Sequence, residues 1–238
     1  MSGGANAGGP RSLDGIAILK PLSEADRAEL ARRCAWKSFK PDERIIDRAE
    51  DGRDVCFIVS GSVRILNHSL SGREISFDDV PAGGFLGELA ALDGGARSAD
   101  VAAGKAGAVV AFLAPRPFQQ LVSSHPELAL AVMRRLCAVV RRSNDRIMDL
   151  STLAANNRVQ AELLRLAAPL RRDDGSALLA PTPVHSDIAA RVSATRETVA
   201  RVLSDLSRDG LVRKTDGGLV IDDVDALREL VENVRGAT

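Results

Sequence analysis

The segment Phe85-Leu86-Gly87-Glu88-Leu89-Ala90, with Arg97-Ser98-Ala99 beyond an intervening turn, is the most informative part of this sequence. Two glycines directly upstream, Gly83 and Gly84, let the backbone bend sharply before it. The carboxylate of Glu88 then stands nine residues ahead of an Arg-Ser pair. Arg97 offers a planar fork of N–H donors that fits phosphate oxygens bidentately. Ser98 and backbone N–H groups add neutral donors, and Glu88 can accept from a ribose hydroxyl, so the set suits a small anionic sugar phosphate.

Bulk composition limits what the chain can be. Its 238 residues fit one large or two modest domains, and 45% hydrophobic with 27% charged residues is ordinary for a soluble globular protein. The 32 Lys and Arg residues balance the 32 Asp and Glu residues, so the net charge does not indicate nucleic-acid binding. Evidence for a nucleic-acid-binding surface has to come from the local arrangement of charged residues. No apolar run is long enough to span a bilayer and the N-terminus lacks a signal pattern, so we expect a cytoplasmic protein with no membrane partner.

The cysteine, histidine and serine patterns argue against catalysis and against metals. Cys34, Cys56 and Cys137 are odd in number and far apart, which predicts reduced thiols. The three histidines and Ser98 form no evident nucleophile–base set, and potential metal ligands do not cluster. We therefore expect no enzymatic activity and no bound metal.

The N-terminal half has the punctuation of a β structure. Residues 1–12 predict a disordered tail, and residues 13–37 show a helical pattern. Glycine turn signals then recur about every ten residues, which predicts an all-β barrel or roll within residues 13–123. The clearest strands are 55–59 and 63–66, separated by Ser60-Gly61, and 108–113 reads as the last strand.

Residues 124–155 predict a long helix followed by a hinge. Ser124 and Glu127 form a capping box with Pro126 in the first turn. Beyond it, one face of the helix repeats at alternating spacings of three and four residues, as in a parallel two-helix dimer. The positions of this stripe are Met133, Leu136, Val140, Ser143, Ile147 and Leu150. The alternative is that this face packs on the chain's own β-roll.

A polar pair interrupts the apolar stripe. Ser143 occupies a stripe position and Asn144 follows it. A polar residue at such a position fixes register or serves a ligand. Alternatively, a helical serine bonds its own upstream carbonyl and does nothing else.

Residues 156–238 predict a winged helix-turn-helix. A helix over about 158–170 precedes a short helix at 187–192, the turn Ser193-Ala194-Thr195, a second helix over 196–208 and a glycine-turn hairpin ending at 221. On the second helix Arg196, Glu197 and Arg201 lie opposite the apolar side and suit readout of G·C pairs. Thr195 and Thr198 suit phosphate contacts. The alternative is a solvated charged face.

Both halves together resemble the catabolite activator protein family of bacterial transcription factors, over residues 13 to 221; a member of that family is also a standard example of the helix-turn-helix. The resemblance implies an α+β fold with an N-terminal cyclic-nucleotide-binding β-roll, a long dimerisation helix and a C-terminal winged helix-turn-helix. Gly87-Glu88-Leu89 and Arg97-Ser98-Ala99 would bind the nucleotide, with Glu88 on the ribose 2′-OH and Arg97 with Ser98 on the cyclic phosphate. Ser143 and Asn144 would face the base.

The resemblance also implies partners. Arg196-Glu197-Thr198 and Arg201 imply a TGTGA-like inverted repeat as operator, with His185 and Ser186 completing the DNA-binding set. For His185 an exposed neutral side chain is the alternative. The expected assembly is a homodimer that cAMP or cGMP switches, with RNA polymerase as downstream partner.

Two alternatives within the family stay open. The chain can sense another signal, such as redox or haem, or bind DNA without nucleotide. The cysteines lack the spacing of an iron–sulfur cluster. His68 invites a haem-ligand hypothesis, which the complete phosphate-binding motif disfavours.

Overall fold

The computed structural model describes residues 11–68 and 74–236, so the predicted tail lies almost wholly outside the described residues. The chain divides into two compact units, one formed mainly by residues up to 139 and the other mainly by residues from 140 onward. Their elements are considered separately.

The first unit combines an antiparallel sheet with short helices. Its elements are α1 (Glu24–Arg33), β1 (Ala35–Phe39), β2 (Arg44–Ile46), β3 (Val55–His68), β4 (Glu74–Pro81), β5 (Phe85–Leu86), α2 (Glu88–Asp93), β6 (Asp100–Leu113), α3 (Pro115–Ser124) and the start of α4 (Pro126–Thr152). The sheet order is β1-β6-β3-β4, with β2 on β6 and β5 on β3. The pair β5–β3 places the segment that begins at Phe85 at the sheet, because Phe85 lies opposite Phe57. Buried apolar side chains, Phe57 and Phe118 among them, fill the space between sheet and helices.

The structure corrects the predicted strand boundaries. Residues 55–59 and 63–66 belong to one strand, β3, and the predicted turn at Ser60-Gly61 is an irregularity in its register with β6. Gly61 has φ 73° and a Cβ there would lie 2.0 Å from the carbonyl oxygen of Gly107. Glycine is needed here for close approach within a continuous strand, not for a reversal. Residues 108–113 are likewise only the second half of β6.

The predicted helix over 13–37 is also too long. Helix α1 begins after Ser23, whose hydroxyl accepts from the amide of Asp26, and ends at Arg33. Residues 35–39 instead form β1, with Ala35 opposite Phe112. Pairing with β6 therefore outweighs the local helical pattern at this end.

The predicted capping box at the start of α4 is wrong. Ser124 ends α3, and its hydroxyl donates to the carbonyl oxygen of Gln120 at 2.7 Å. Pro126 opens α4, as predicted for a first-turn proline. Within the first unit, the stripe residue Met133 is 53% exposed. The alternative, in which this face packs on the chain's own β-roll, therefore fails at Met133.

The second unit contains the end of α4 and a helical domain with a small sheet. Its elements are α5 (Ala155–Ala167), β7 (Ala177–Leu179), α6 (His185–Val192), α7 (Arg196–Arg208), β8 (Val212–Thr215), β9 (Gly218–Ile221) and α8 (Val224–Gly236). The sheet order is β7-β9-β8. Val199, Val202 and Leu206 of α7 are buried in a core shared with α5, α6 and α8. In the described part of the chain, no helix has the length and apolar character needed to cross a bilayer.

Candidate functional site

Arg97 lies in the loop after α2 and is only 6% exposed. Its Nη2 donates to the carbonyl oxygen of Asp54 at 2.9 Å. Its Nε and Nη1 are buried and have no hydrogen-bond partner among the described residues. A buried cation with two unpartnered nitrogen donors is costly, so the site is suited to an anionic acceptor.

The backbone of Gly87 makes room for this guanidinium. Gly87 precedes α2 with φ 86°, in the left-handed region that favours glycine. A Cβ at this position would lie 2.7 Å from Nη1 of Arg97 and 2.7 Å from the carbonyl oxygen of Asp54. The glycine predicted from the motif is therefore required both for its conformation and for the space it leaves.

Glu88 opens α2 and is 6% exposed. Burial raises the pKa of its carboxyl, while its own backbone amide and the positive charge of Arg135 act in the opposite direction. A carboxylate in this environment can accept a hydrogen bond from a sugar hydroxyl.

Arg135 is the site residue that sequence reasoning missed. It lies on α4, is half-buried, and its Nε is buried with no partner among the described residues. The positive charge of Arg135 lowers the pKa of Glu88. The two residues are 47 positions apart in the sequence, so no local motif contains both of them. The feature of the sequence that could have indicated Arg135 is its position directly before Leu136, a residue of the apolar stripe.

The other predicted ligand residues occupy less enclosed positions. Ser98 is exposed beside Arg97, Ala99 is half-buried, and Leu89 on α2 is exposed. Ser143 and Asn144 are both exposed on the part of α4 that belongs to the second unit. The structure thus brings Gly87, Glu88 and Arg97 together and adds Arg135 to them.

Helix α7 presents the predicted DNA-reading side chains. Thr195 is its N-cap and accepts from the amide of Thr198 at 3.1 Å, and the two hydroxyls lie 3.1 Å apart. Arg196, Glu197 and Arg201 are exposed on the side opposite the buried residues. The pKa of Glu197 is lowered by its backbone amide, the Thr195 hydroxyl and the charge of Arg196, so this side chain remains an ionised acceptor at neutral pH.

The helix-turn-helix is fixed to α5 by arginines. The guanidinium of Arg158 donates to the carbonyl oxygens of Val192 at 2.8 Å, Ser193 at 3.2 Å and Leu153 at 2.8 Å. The bonds to Val192 and Ser193 satisfy carbonyls at the C-terminal end of α6, where Ser193 has φ 52°. At the other end of α6, His185 is exposed and Ser186 half-buried.

A buried acidic residue adds a second link between α5 and α6. Glu162 is 8% exposed and accepts from Arg165 at 2.7 and 2.8 Å, while Arg191 lies 3.7 Å away. Charged groups buried in this manner are retained where each has a partner. The orientation of α6 on α5 is therefore defined by paired polar groups as well as by apolar packing.

Comparisons with known proteins agree with this arrangement. Residues 36–125 match the cyclic nucleotide-binding domain, and residues 157–230 match the Crp-like helix-turn-helix domain. The transcriptional regulator SdrP of Thermus thermophilus is 32% identical over 200 residues, which cover 82% of this chain and 94% of SdrP. The CRP-like cAMP-activated global transcriptional regulator of Mycobacterium tuberculosis is 26% identical over 88% of this chain and 94% of its own.

A solved structure shows the same fold. The structure of a CooA mutant from Carboxydothermus hydrogenoformans superposes with a TM-score of 0.76 at 19% identity, over 93% of this chain and 98% of that one. The order of the two matched domains, and a relative 32% identical over most of its length, establish the family. The chain belongs to the catabolite activator protein (Crp-like) family of DNA-binding transcription regulators.

Proposed function

We propose that this regulator is switched by a cyclic nucleotide, cAMP or cGMP, held by the β-roll. The residues assigned to the ligand are Gly87, Glu88, Leu89, Arg97, Ser98 and Ala99, with Arg135 added and with Ser143 and Asn144 on α4. The buried guanidinium of Arg97, with Nε and Nη1 unpartnered among the described residues, carries the proposal. A cyclic phosphodiester brings one negative charge and two free oxygens, which match these two donors.

Glu88 and Arg135 favour a nucleotide over free phosphate. Glu88 lies in the same enclosed motif, and a carboxylate repels a bare inorganic anion but accepts from a ribose hydroxyl. Arg135 offsets the charge of Glu88. A ligand with one anionic end and one hydroxylated end satisfies both groups at once.

The exposed stripe on α4 supports a homodimer. Val140, Ile147 and Leu150 are 58%, 60% and 42% exposed at heptad positions. Apolar groups in this pattern gain stability by packing against a second copy of the same helix. Ser143 and Asn144 lie within this stretch, so a base contacting them would be sensitive to how the two helices pair.

Ligand and DNA would then be coupled through the dimer. A ligand shifts a conformational equilibrium only as far as it binds one state more tightly. We infer that the nucleotide favours the pairing of α4 that places both α7 helices in major grooves of a TGTGA-like inverted repeat, one helical turn apart.

The DNA contacts follow from the exposed surface of α7. Arg196, Glu197 and Arg201 would read base edges, and Thr195, Thr198, Ser186 and His185 would contact phosphates. DNA binding in bacteria implies action in the cytoplasm, with RNA polymerase as the partner that converts binding into regulation.

Calorimetry of the full chain with cAMP and with cGMP tests the proposal. We expect saturable binding of at least one of them and tighter binding of an inverted-repeat duplex at fixed salt when it is present. Arg97→Met should abolish the nucleotide response. Failure to bind either nucleotide would instead favour a family member that senses another signal or binds DNA constitutively.

A further inference from the structure

Arg201, one of the residues assigned to base readout, contacts a different helix. Its Nη2 donates to Oδ1 of Asn156 at 3.1 Å. Asn156 lies in the first turn of α5, directly after the hinge between α4 and α5. Both side chains are exposed, so burial does not force this contact. Arginine has donors only, which fixes the amide of Asn156 with its oxygen toward Arg201.

The choice of partner matters for the charge of Arg201. Glu197 precedes Arg201 by four residues on α7, the spacing at which opposite charges pair on a helix. Such a pair would occupy the acceptor of Glu197 and part of the guanidinium at once. Asn156 accepts one hydrogen bond through a neutral oxygen. The guanidinium of Arg201 therefore keeps its charge, and its Nε and Nη1 can still donate to a base.

The first turn of α5, which carries Asn156, is held in place by hydrogen bonds. Arg158, two residues after Asn156, is bonded to the carbonyl oxygens of Leu153 and Val192. The first turn of α5 is therefore attached to the end of α6. A long side chain held from such a platform loses less rotamer freedom when it meets DNA.

We propose that Asn156 is a positioning residue for Arg201 and thereby determines sequence preference at the base pair that Arg201 reads. The inference rests on the proposed base-reading function of Arg201. It adds a residue outside the helix-turn-helix to the specificity of the regulator, and it places that residue next to the hinge.

The test uses the full chain with cAMP and cGMP present and a duplex recovered from a randomised pool by the unaltered protein. Affinities are measured for this duplex and for a set with each base pair changed singly. Arg201→Ala first identifies the base pair whose change no longer matters. Asn156→Ala should lower discrimination at that same pair by about 3- to 10-fold and leave other positions unchanged.

Two further variants separate positioning from structure. Asn157→Ala, at the neighbouring asparagine, should leave discrimination unaltered. Asn156→Asp keeps an acceptor for Arg201 but pairs with the guanidinium through a full negative charge, so it should lower discrimination at the same base pair and also weaken all duplexes. A selective loss at this one base pair is not expected of a residue that only supports the fold.

The outcomes distinguish the inference from its premise. If Arg201→Ala weakens every duplex equally, the base-reading role of Arg201 is wrong and the inference is overturned with it. If Arg201→Ala is selective for one base pair but Asn156→Ala is not, the positioning role alone is overturned.

Discussion

Gly87 and Arg97 are in direct contact, because a Cβ built on Gly87 would lie 2.7 Å from Nη1 of Arg97. The backbone at Gly87 and the guanidinium of Arg97, ten residues later, therefore form one continuous surface. The carbonyl oxygen of Asp54 belongs to the same surface, because it accepts a hydrogen bond from Nη2 of Arg97. Two of the remaining donors face no protein acceptor among the described residues, which leaves them for a ligand.

Gly87→Ala should disrupt the packing of Gly87 against Arg97 and Asp54. A methyl group there collides with Arg97 and with Asp54, so we expect loss of nucleotide binding as well as lower stability. Gly94→Ala is the matched control, because Gly94 also has a positive φ of 73° but a Cβ there meets no described atom within 4 Å. It should cost only the backbone strain of about 1–2 kcal/mol. Urea unfolding and nucleotide calorimetry measure both; equal effects of the two variants would contradict the assigned contact.

Arg97→Met should stabilise the unliganded protein. It replaces a buried cation with two unsatisfied donors by an apolar side chain of similar length, which should raise the free energy of unfolding by about 1–3 kcal/mol. The same variant should show no rise in Tm on addition of cAMP or cGMP. Arg53→Met, at an exposed arginine nearby, should change stability by no more than about 0.5 kcal/mol. A loss of stability in Arg97→Met without ligand would mean that Arg97 serves the fold.

Glu88→Gln should alter the pH dependence of stability. Burial raises the pKa of Glu88 above its ordinary value of 4.5, so the folded state binds more protons than the unfolded state near that pH. Stability therefore falls as pH rises from 4.5 through the raised pKa, and Glu88→Gln removes this loss. The variant should be more stable than the unaltered protein at pH 7, with the advantage gone below pH 4.5.

Arg135→Met provides the opposite change at the same site. Its charge lowers the pKa of Glu88, so its removal should raise that pKa further and move the loss of stability to higher pH. Arg134→Met, at the exposed neighbour, is the control. Denaturant unfolding across pH measures all three variants, and identical profiles for Arg134→Met and Arg135→Met would remove Arg135 from the site.

The short-range features of the site could be predicted from sequence. Gly87, Glu88 and Arg97 lie within one short segment, and the capped helix after Thr195 depends on contacts three residues apart. Arg135 beside Glu88 and Asn156 beside Arg201 could not, since each pair joins elements distant in sequence. Periodicity and spacing within one element contain no information on which side chain of a remote helix contacts it.

The errors in the fold have the same origin. Ser60-Gly61 has the composition of a turn, yet pairing along β6 keeps β3 continuous through it. Helix α3 was not predicted. It begins with Pro115 and Pro117 in its first turn, where proline is tolerated because the backbone N–H groups of a first turn have no partner within the helix. Helix α8 lies beyond residue 221, where the resemblance ended, and its Val224 and Leu227 complete the core of the second unit.

Ile147→Asp should dissociate the proposed homodimer. A charge at a stripe position would be buried without a partner when two α4 helices pair, so we expect the dissociation constant to rise about 100-fold or more. Met148→Asp is the matched control, because Met148 is 59% exposed against 60% for Ile147 but lies outside the stripe. Sedimentation equilibrium measures both variants. Equal weakening by the two substitutions would place the dimer contact elsewhere on α4.

Glu197→Ala should change DNA specificity in two directions. A glutamate that accepts from a cytosine amino group discriminates at one base pair, so its removal should reduce discrimination there by about tenfold. Affinity for unrelated duplexes should rise at the same time, because a negative charge facing the phosphates is gone. Since the pKa of Glu197 is lowered from 4.5, both effects should be constant between pH 6 and 8. Ser204→Ala, at an exposed position further along α7, should do neither. Titration of single-substitution duplexes at fixed salt measures these quantities, and a uniform loss of affinity in Glu197→Ala would show that the carboxylate supports the start of α7 rather than reading a base.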